Sequence, residues 1–216
     1  IHRHPAQAKV DVPAYDDALL DREASLLVDW FMPAWRGASM PDGDVRAYLA
    51  AWRRVYPLAR VGKPGLVLRD FHVDNLIRLP GRPGVTACGL LDFQDALIGP
   101  RAYDLASLVE DARRDVSPAL ARDCMARYLA AFPELPHAEF ETATTVMAAQ
   151  RNAKIVGIFV RLARRDGKPQ YLKHIPRVWR LLEGNLAHPA LAELRGWFDE
   201  HVPAAWRRAP EFEGVR

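Results

Sequence analysis

The chain has 216 residues, half of them apolar, and its 30 basic and 27 acidic side chains give a formal net charge of +3. This length allows one substantial core, and the mixed, nearly balanced charge gives no electrostatic case for nucleic acid. No apolar run reaches the roughly 20 residues that span a membrane, and no signal-peptide core is visible. We therefore expect a soluble, cytoplasmic protein that binds neither nucleic acid nor membrane, and the oligomeric state stays open.

The first part of the chain predicts a linker followed by two helices. Residues 1–12 are polar and mixed, which is typical of a linker. The stretch YDDALLDREASLLVDWFMPAW repeats apolar residues at helical spacing, and we expect Pro33 to end or kink this helix. A second helix should follow the turn PDGD, with Asp42 or Asp44 as its N-cap.

The stretch from Leu66 to Asp92 has the pattern of a catalytic site. Two apolar runs, LVL and LIRL, flank a polar loop that contains Asp70 and Asn75, which predicts a loop between two strands. A third run, ACGLLDF, should pair with LIRL across the turn PGRPG and bring Asp92 beside the loop. Phosphoryl transfer from ATP needs a carboxylate for the hydroxyl proton and oxygen ligands for Mg²⁺. We predict that Asp70 activates the acceptor and that Asn75 and Asp92 bind the metal.

Helices are predicted after the catalytic stretch. One should begin near Tyr103 or Asp104, where Asp104 can serve as the N-cap. Ser117 and the proline after it should start the next helix. The remaining residues predict three further helices and a loosely packed tail: His137 to Arg165, two helices divided near His188, and residues 203–216.

Several side chains allow two interpretations. His72, inside the catalytic loop, either hydrogen-bonds the acceptor or supports the loop. The long helix turns a basic face away from the core, and such faces are usually solvated surface. This face consists of Arg151, Lys154, Arg161, Arg164 and Arg165. The histidines His2 and His4 have no third ligand nearby, and the isolated Cys88 and Cys124 predict neither a disulfide framework nor a zinc site.

The pattern R-D-x-x-x-x-N followed by D-F resembles the catalytic and metal-binding loops of the kinase superfamily. With the segments RDFHVDNL, LLDFQDALIGPRAYDLASL and RNAKIVGIFVRLARRDGKPQYLKHIPR, the chain is similar to the aminoglycoside phosphotransferase and choline kinase-like family. Within that family it most resembles bacterial N-acetylmuramate/N-acetylglucosamine kinases. The resemblance covers the chain from about Tyr15 to Trp197.

This resemblance implies an α+β fold, mostly α: a protein kinase-like C-terminal lobe over residues 13–202, with a small β-hairpin region that carries the catalytic and metal loops. It implies an enzyme that uses ATP as co-substrate and Mg²⁺, and phosphorylates a hydroxyl of a small molecule. The implied acceptor is an amino sugar of peptidoglycan recycling. An aminoglycoside or choline acceptor, or a non-catalytic kinase-like binding module, remains the alternative.

The resemblance also implies roles for side chains around the loop. Arg69 and Asp104 would support the loop, Asp104 by bracing it through hydrogen bonds. Gln94 fits the sugar-kinase group and is a candidate for acceptor binding, as are Arg151 and Lys154, which match a segment that faces the acceptor. An arginine there would suit a carboxylate on the acceptor. Kinases usually have histidine where this chain has Leu68.

A kinase of this type also needs a nucleotide-binding lobe, with a glycine-rich loop and a lysine that reaches the phosphates. The sequence has no G-x-G-x-x-G pattern and no lysine on a predicted strand before Asp70. The chain also begins at Ile1 without Met. We therefore expect the C-terminal lobe of a longer protein, and little or no kinase turnover from the isolated chain.

Overall fold

The computed structural model describes residues 1–3 and 11–212 of the protein. Most of the linker predicted at residues 1–12, including His4, lies outside the described residues, as does the end of the predicted tail, residues 213–216. Of the helices in the described ranges, none combines the length and the apolar character that a membrane span requires.

The described residues form an α+β fold that is mostly helical, which confirms the predicted fold class. The α-helices are α1 (Asp17–Leu26), α2 (Met32–Arg36), α3 (Asp42–Val55), α4 (Ala102–Val109), α5 (Pro118–Ala131), α6 (His137–Arg165), α7 (Ile175–Leu186) and α8 (Ala192–His201). The predicted bounds of α6 and the Ser117 cap of α5 are confirmed, because the Ser117 side chain accepts a hydrogen bond from the Leu120 amide.

Four three-residue strands form two small antiparallel sheets. The strands are β1 (Gly65–Val67), β2 (Leu76–Arg78), β3 (Cys88–Leu90) and β4 (Leu97–Gly99). Strand β2 pairs with β3, as predicted, with Ile77 opposite Gly89. Strand β1 pairs with β4, with Leu66 opposite Ile98. The catalytic loop therefore leaves one sheet and enters the other.

The prediction that Pro33 ends or kinks the first helix is wrong about where the helix ends. A π-helical turn, Leu27–Phe31, follows α1 and runs directly into α2, which ends at Gly37 with a positive φ of 70°. Pro33 lies in the first turn of α2, directly after the π-helical turn, and the chain stays helical through the proline.

The predicted caps of α3 are also wrong. Pro41 occupies the N-cap position, and Asp42 and Asp44 lie in the first helical turn. Carboxylates in the first turn interact favourably with the positive end of the helix dipole, so both residues still favour this helix start.

Helix α6 runs through the centre of the fold. It contacts α1, the π-helical turn, α4 and α7. At Gly157 the approach is so close that a Cβ atom would lie 2.1 Å from the Leu26 carbonyl oxygen. Glycine is required there because the backbones of two helices meet, not because of a special φ angle.

The described part of the tail, residues 203–212, packs against the helices, contrary to the expected loose packing. The Trp206 ring stacks on Trp35 with centroids 6.1 Å apart. The Arg207 guanidinium binds Glu183 and Asp199 at 3.0 and 2.9 Å. Tertiary contacts of two aromatic rings and one arginine order this segment, and such contacts leave no periodic signal in the sequence.

Candidate active site

The structure brings together the three side chains that the spacing singled out. Asn75 ends a 3₁₀ turn, Val73–Asn75, and its amide nitrogen donates to the Asp70 backbone oxygen at 2.9 Å. The same nitrogen lies 3.5 Å from Asp92 Oδ2. Pairing of β2 with β3 places Asp92 there, because it lies two residues after the end of β3. Both aspartates are exposed, so they can meet a substrate.

The backbone is strained on both sides of this site. Arg69 has a φ of 67° and Asp92 a φ of 56°, and among described residues they are the only non-glycine residues with positive φ. This left-handed region is unfavourable for side chains with a Cβ atom and is typical of residues that surrounding contacts hold in place at functional sites.

Asp104 supplies such contacts from helix α4. Its carboxylate accepts hydrogen bonds from the backbone amides of Leu68 at 2.8 Å and Arg69 at 3.1 Å. Burial raises the pKa of Asp104 to about 6, although both backbone hydrogen bonds lower it. Asp104 is the third residue of α4 and not its N-cap, so that alternative is wrong. The contact between Asp104 and position 68 uses the backbone amide of Leu68 and not its side chain.

A buried ionic network lies behind Arg69. The Arg69 guanidinium pairs with Glu23 of α1, and Lys154 Nζ lies 3.1 Å from the other Glu23 oxygen. Lys154 also donates to the Tyr103 hydroxyl at 2.7 Å, and the Tyr15 hydroxyl donates to Glu23. Burial raises the pKa of Glu23, but Lys154, Tyr15 and Arg69 outweigh it, and the net pKa is lowered. Glu23 therefore carries its negative charge in the core.

Two cations expected on a solvated helix face are buried. Arg151 is 3% exposed and Lys154 6% exposed. Arg151 donates to the Glu110 backbone oxygen at 3.2 Å, and Lys154 belongs to the network around Glu23. Glu23 itself was not predicted as a site residue. The sequence places Glu23 as an acidic residue within the apolar stripe of the first helix, a pattern that could have indicated a buried charge.

His72 and Gln94 contact the loop side chains. The His72 ring nitrogen Nε2 lies 3.4 Å from both the Asn75 amide nitrogen and Arg113 Nη1. Burial and the Arg113 charge lower the pKa of His72, so the ring is neutral at pH 7. Gln94 donates to Asp92 Oδ1 at 2.6 Å. These contacts favour loop support over acceptor binding for both side chains, because neither is among the described residues that line the neighbouring cavity.

This cavity, of about 430 Å³, opens beside Asp70 and runs along α6. Three acidic side chains line it: Glu23, Asp70 and Asp95. Six cationic side chains line it: Arg22, Arg69, Arg113, Arg151, Lys154 and Arg161. Apolar side chains of α6 and Tyr171 complete the wall. The cavity can therefore hold a drug-sized molecule and favours one with negative charge.

The loop fits Mg²⁺ as a partner of phosphate oxygens. The described residues contain no group of three or more His, Cys, Asp or Glu side chains arranged around a metal position. Mg²⁺ does not require one, because it usually takes one or two carboxylates and completes its shell with water and phosphate. Asp92 offers a carboxylate, and the amide oxygen of Asn75 is free to face a cation because its nitrogen makes the loop contacts.

A small hairpin that carries a carboxylate loop on a helical body is consistent with the fold of a kinase-like phosphotransferase. The chain belongs to the phosphotransferase enzyme family, whose sequence pattern it matches over residues 1–140.

Two curated relatives are named N-acetylmuramate/N-acetylglucosamine kinase. The protein from Caulobacter vibrioides is 42% identical over 194 residues, which cover 90% of this chain and 53% of the relative. The protein from Pseudomonas aeruginosa is 40% identical over 201 residues, which cover 86% of this chain and 57% of the relative. The resemblance seen in the sequence is confirmed, and the chain spans about half the length of the curated relatives it matches.

Proposed function

We propose that this chain forms the acceptor and metal side of an ATP-dependent kinase that phosphorylates a hydroxyl of N-acetylmuramate or N-acetylglucosamine. The main support is the position of Asp70, which is exposed beside the Asn75–Asp92 pair and lines the cationic cavity. The printed names of the relatives support the amino sugar as acceptor.

In this proposal Asp70 orients the acceptor hydroxyl and accepts its proton as the hydroxyl oxygen attacks the γ-phosphate. Asn75 and Asp92 hold Mg²⁺, which neutralises the phosphate charge when bound. Arg69 and Asp104 support the loop, and His72 and Gln94 orient Asn75 and Asp92. Arg151 and Lys154 form the base of the acceptor cavity from α6.

We further propose that a nucleotide-binding lobe completes this enzyme. Because the chain spans about half of its relatives, we place residues 13–202 as the C-terminal lobe of a protein of their length. Residues 1–12 would be the linker from a nucleotide-binding lobe, and residues 203–216 the tail. A cytoplasmic location follows from the need for ATP. The isolated chain should show little or no turnover.

The cavity charge separates the proposed acceptor from the alternatives. Aminoglycosides and choline are cations, and six cationic side chains around the cavity would repel them. N-acetylglucosamine is neutral because its nitrogen is acetylated, and the lactyl group of N-acetylmuramate adds a negative charge.

A protein of the relatives' length that carries this chain should phosphorylate N-acetylmuramate or N-acetylglucosamine with Mg-ATP, but neither kanamycin nor choline. Asp70→Asn should lower kcat about 1,000-fold, since a positioned general base contributes about 10²- to 10⁴-fold. The control is Asp74→Asn, the same change at an exposed residue of the same loop that pairs with Arg114. It should stay within about threefold of the original rate, as expected for an exposed ion pair.

An Asp70→Asn variant with unchanged kcat would contradict the proposed role of Asp70. Failure of both sugars as substrates would contradict the acceptor assignment. Isothermal titration with Mg-ATP then separates an enzyme with another acceptor from a non-catalytic module, which would bind no nucleotide.

A further inference from the structure

The cations around the cavity differ in how their charge is balanced. Arg69 and Lys154 share the carboxylate of Glu23. Arg151 donates to the Glu110 carbonyl oxygen, and Arg113 lies against the His72 ring. Arg22 of α1 and Arg161, two turns of α6 beyond Lys154, line the same cavity without any such contact to another described residue, but Arg22 is exposed whereas Arg161 is partly buried.

The environment of Arg161 calls for an acceptor. Its Nε atom is buried, and no hydrogen-bond partner for it exists in the described part of the chain. No carboxylate of a described residue lies within ion-pair distance of its guanidinium. A buried donor without a partner is unfavourable by about 1 to 3 kcal/mol, so such donors normally have a partner in the functional state.

The neighbouring arginines of the same helix end show the contrast. Arg164 is exposed and covers the Phe212 ring at 5.5 Å, and exposed Arg165 pairs with Asp166 at 2.7 Å. Both face away from the cavity, as a solvated helix face predicts. Only Arg161 of these three reaches the cavity wall, between Ile158 and Leu162. These apolar neighbours offer the guanidinium no competing hydrogen-bond acceptor.

We propose that Arg161 binds the carboxylate of N-acetylmuramate, so that the cavity binds this anionic sugar more tightly than the neutral N-acetylglucosamine. This inference rests on the proposed function, because it takes an amino sugar as the molecule in the cavity. N-acetylmuramate differs from N-acetylglucosamine by a lactyl ether that carries a carboxylate. A guanidinium matches a carboxylate with two parallel hydrogen bonds, one of which can use Nε. Arg161 is thus a specificity residue, separate from Asp70 and the metal pair.

The test is binding, measured by isothermal titration in a protein of the relatives' length that carries this chain. The ligands are N-acetylmuramate, its carboxamide and N-acetylglucosamine. Arg161→Gln should weaken N-acetylmuramate about 10- to 100-fold, the range for a lost hydrogen bond to a charged group. It should leave the two uncharged ligands within about twofold, and Arg161→Lys should restore part of the affinity because it keeps the charge. The control Arg164→Gln removes the same charge outside the cavity and should change nothing.

Retained binding of N-acetylglucosamine shows that the variant is folded. Equal losses for all three ligands, or none for N-acetylmuramate, would overturn the proposal. Turnover measurements distinguish failure of the proposed Arg161 site from failure of the proposed kinase activity. Arg161-dependent binding of N-acetylmuramate without phosphorylation would leave the carboxylate site standing and refute the kinase, whereas phosphorylation of both sugars with Arg161-independent binding would do the reverse.

Discussion

The hairpin region of the candidate site and helix α6 differ in exposure and in backbone strain. The hairpin region, residues 65–99, consists of three-residue strands, carries exposed polar side chains and includes two strained non-glycine residues. Helix α6 has 29 residues and is buried along most of its length, including Arg151 and Lys154. The hairpin holds the side chains that we propose react, and Lys154 of the helix pairs with Glu23, which in turn pairs with Arg69 of the loop. The loop is therefore ordered from behind, through the Arg69–Glu23 pair and the hydrogen bonds to Asp104, and not by its own short strands alone.

Removal of a charge from α6 tests whether the helix anchors the loop. Lys154→Met should lower the free energy of unfolding by about 3 to 4 kcal/mol, because loss of one partner leaves Glu23 buried with less compensation. Urea denaturation measures the change. Arg165→Met serves as the control, since Arg165 is exposed and pairs only with its neighbour Asp166 among described residues. If the two variants were equally stable, the network would not anchor the loop.

A change in the hairpin should affect chemistry and not stability. Asn75→Ala should lower kcat at least about 100-fold, since even indirect metal contacts are worth about 10- to 100-fold. The Mg²⁺ concentration for half-maximal rate should rise. Because Asn75 is only partly buried, the free energy of unfolding of the Asn75→Ala protein should stay within about 1 kcal/mol of the original value. A large loss of stability with unchanged Mg²⁺ dependence would assign Asn75 to loop structure alone.

The close packing of α6 against Leu26 can be tested by adding a single methyl group. Gly157→Ala should lower the free energy of unfolding by about 2 kcal/mol, because the new methyl group meets backbone atoms that cannot rotate away. Gly184→Ala is the matched control in α7, where no atom lies within 4 Å of the added Cβ. It should raise stability by about 0.5 to 1 kcal/mol, the difference in helix propensity. Equal effects of both changes would show that α6 tolerates displacement at this contact.

Sequence patterns predicted the elements whose signals are local. Strand β3 and its pairing with β2 follow from apolar runs around a glycine- and proline-rich turn, and α6 follows from its apolar spacing. Strand β4 was not predicted, because three residues before Pro100 carry no detectable period. Its partner β1 lies some 30 residues earlier in the chain, and no short-range signal connects the two.

The candidate site was predictable where spacing decides, at Asp70, Asn75 and Asp92. The burial of Arg151 and Lys154 was not, because a helical pattern shows which residues share a face and not what another helix places against that face. Lys154 is buried against Glu23 of α1, about 130 residues away in the sequence, and Arg151 against the backbone oxygen of Glu110. The proposed importance of Arg161 likewise depends on which neighbouring cations already have partners, information that exists only in three dimensions.

Position 69 shows how two demands on one residue restrict the chain. A φ of 67° favours glycine or asparagine, while the pairing with Glu23 requires a long cation. No natural amino acid meets both, and arginine satisfies the ionic demand at the expense of backbone strain of about 1 to 2 kcal/mol. A search for thermostable variants that replaced Arg69 with glycine would relax the backbone and release the loop from α1. At position 69, relief of the backbone strain and loss of the anchored loop therefore come from the same substitution.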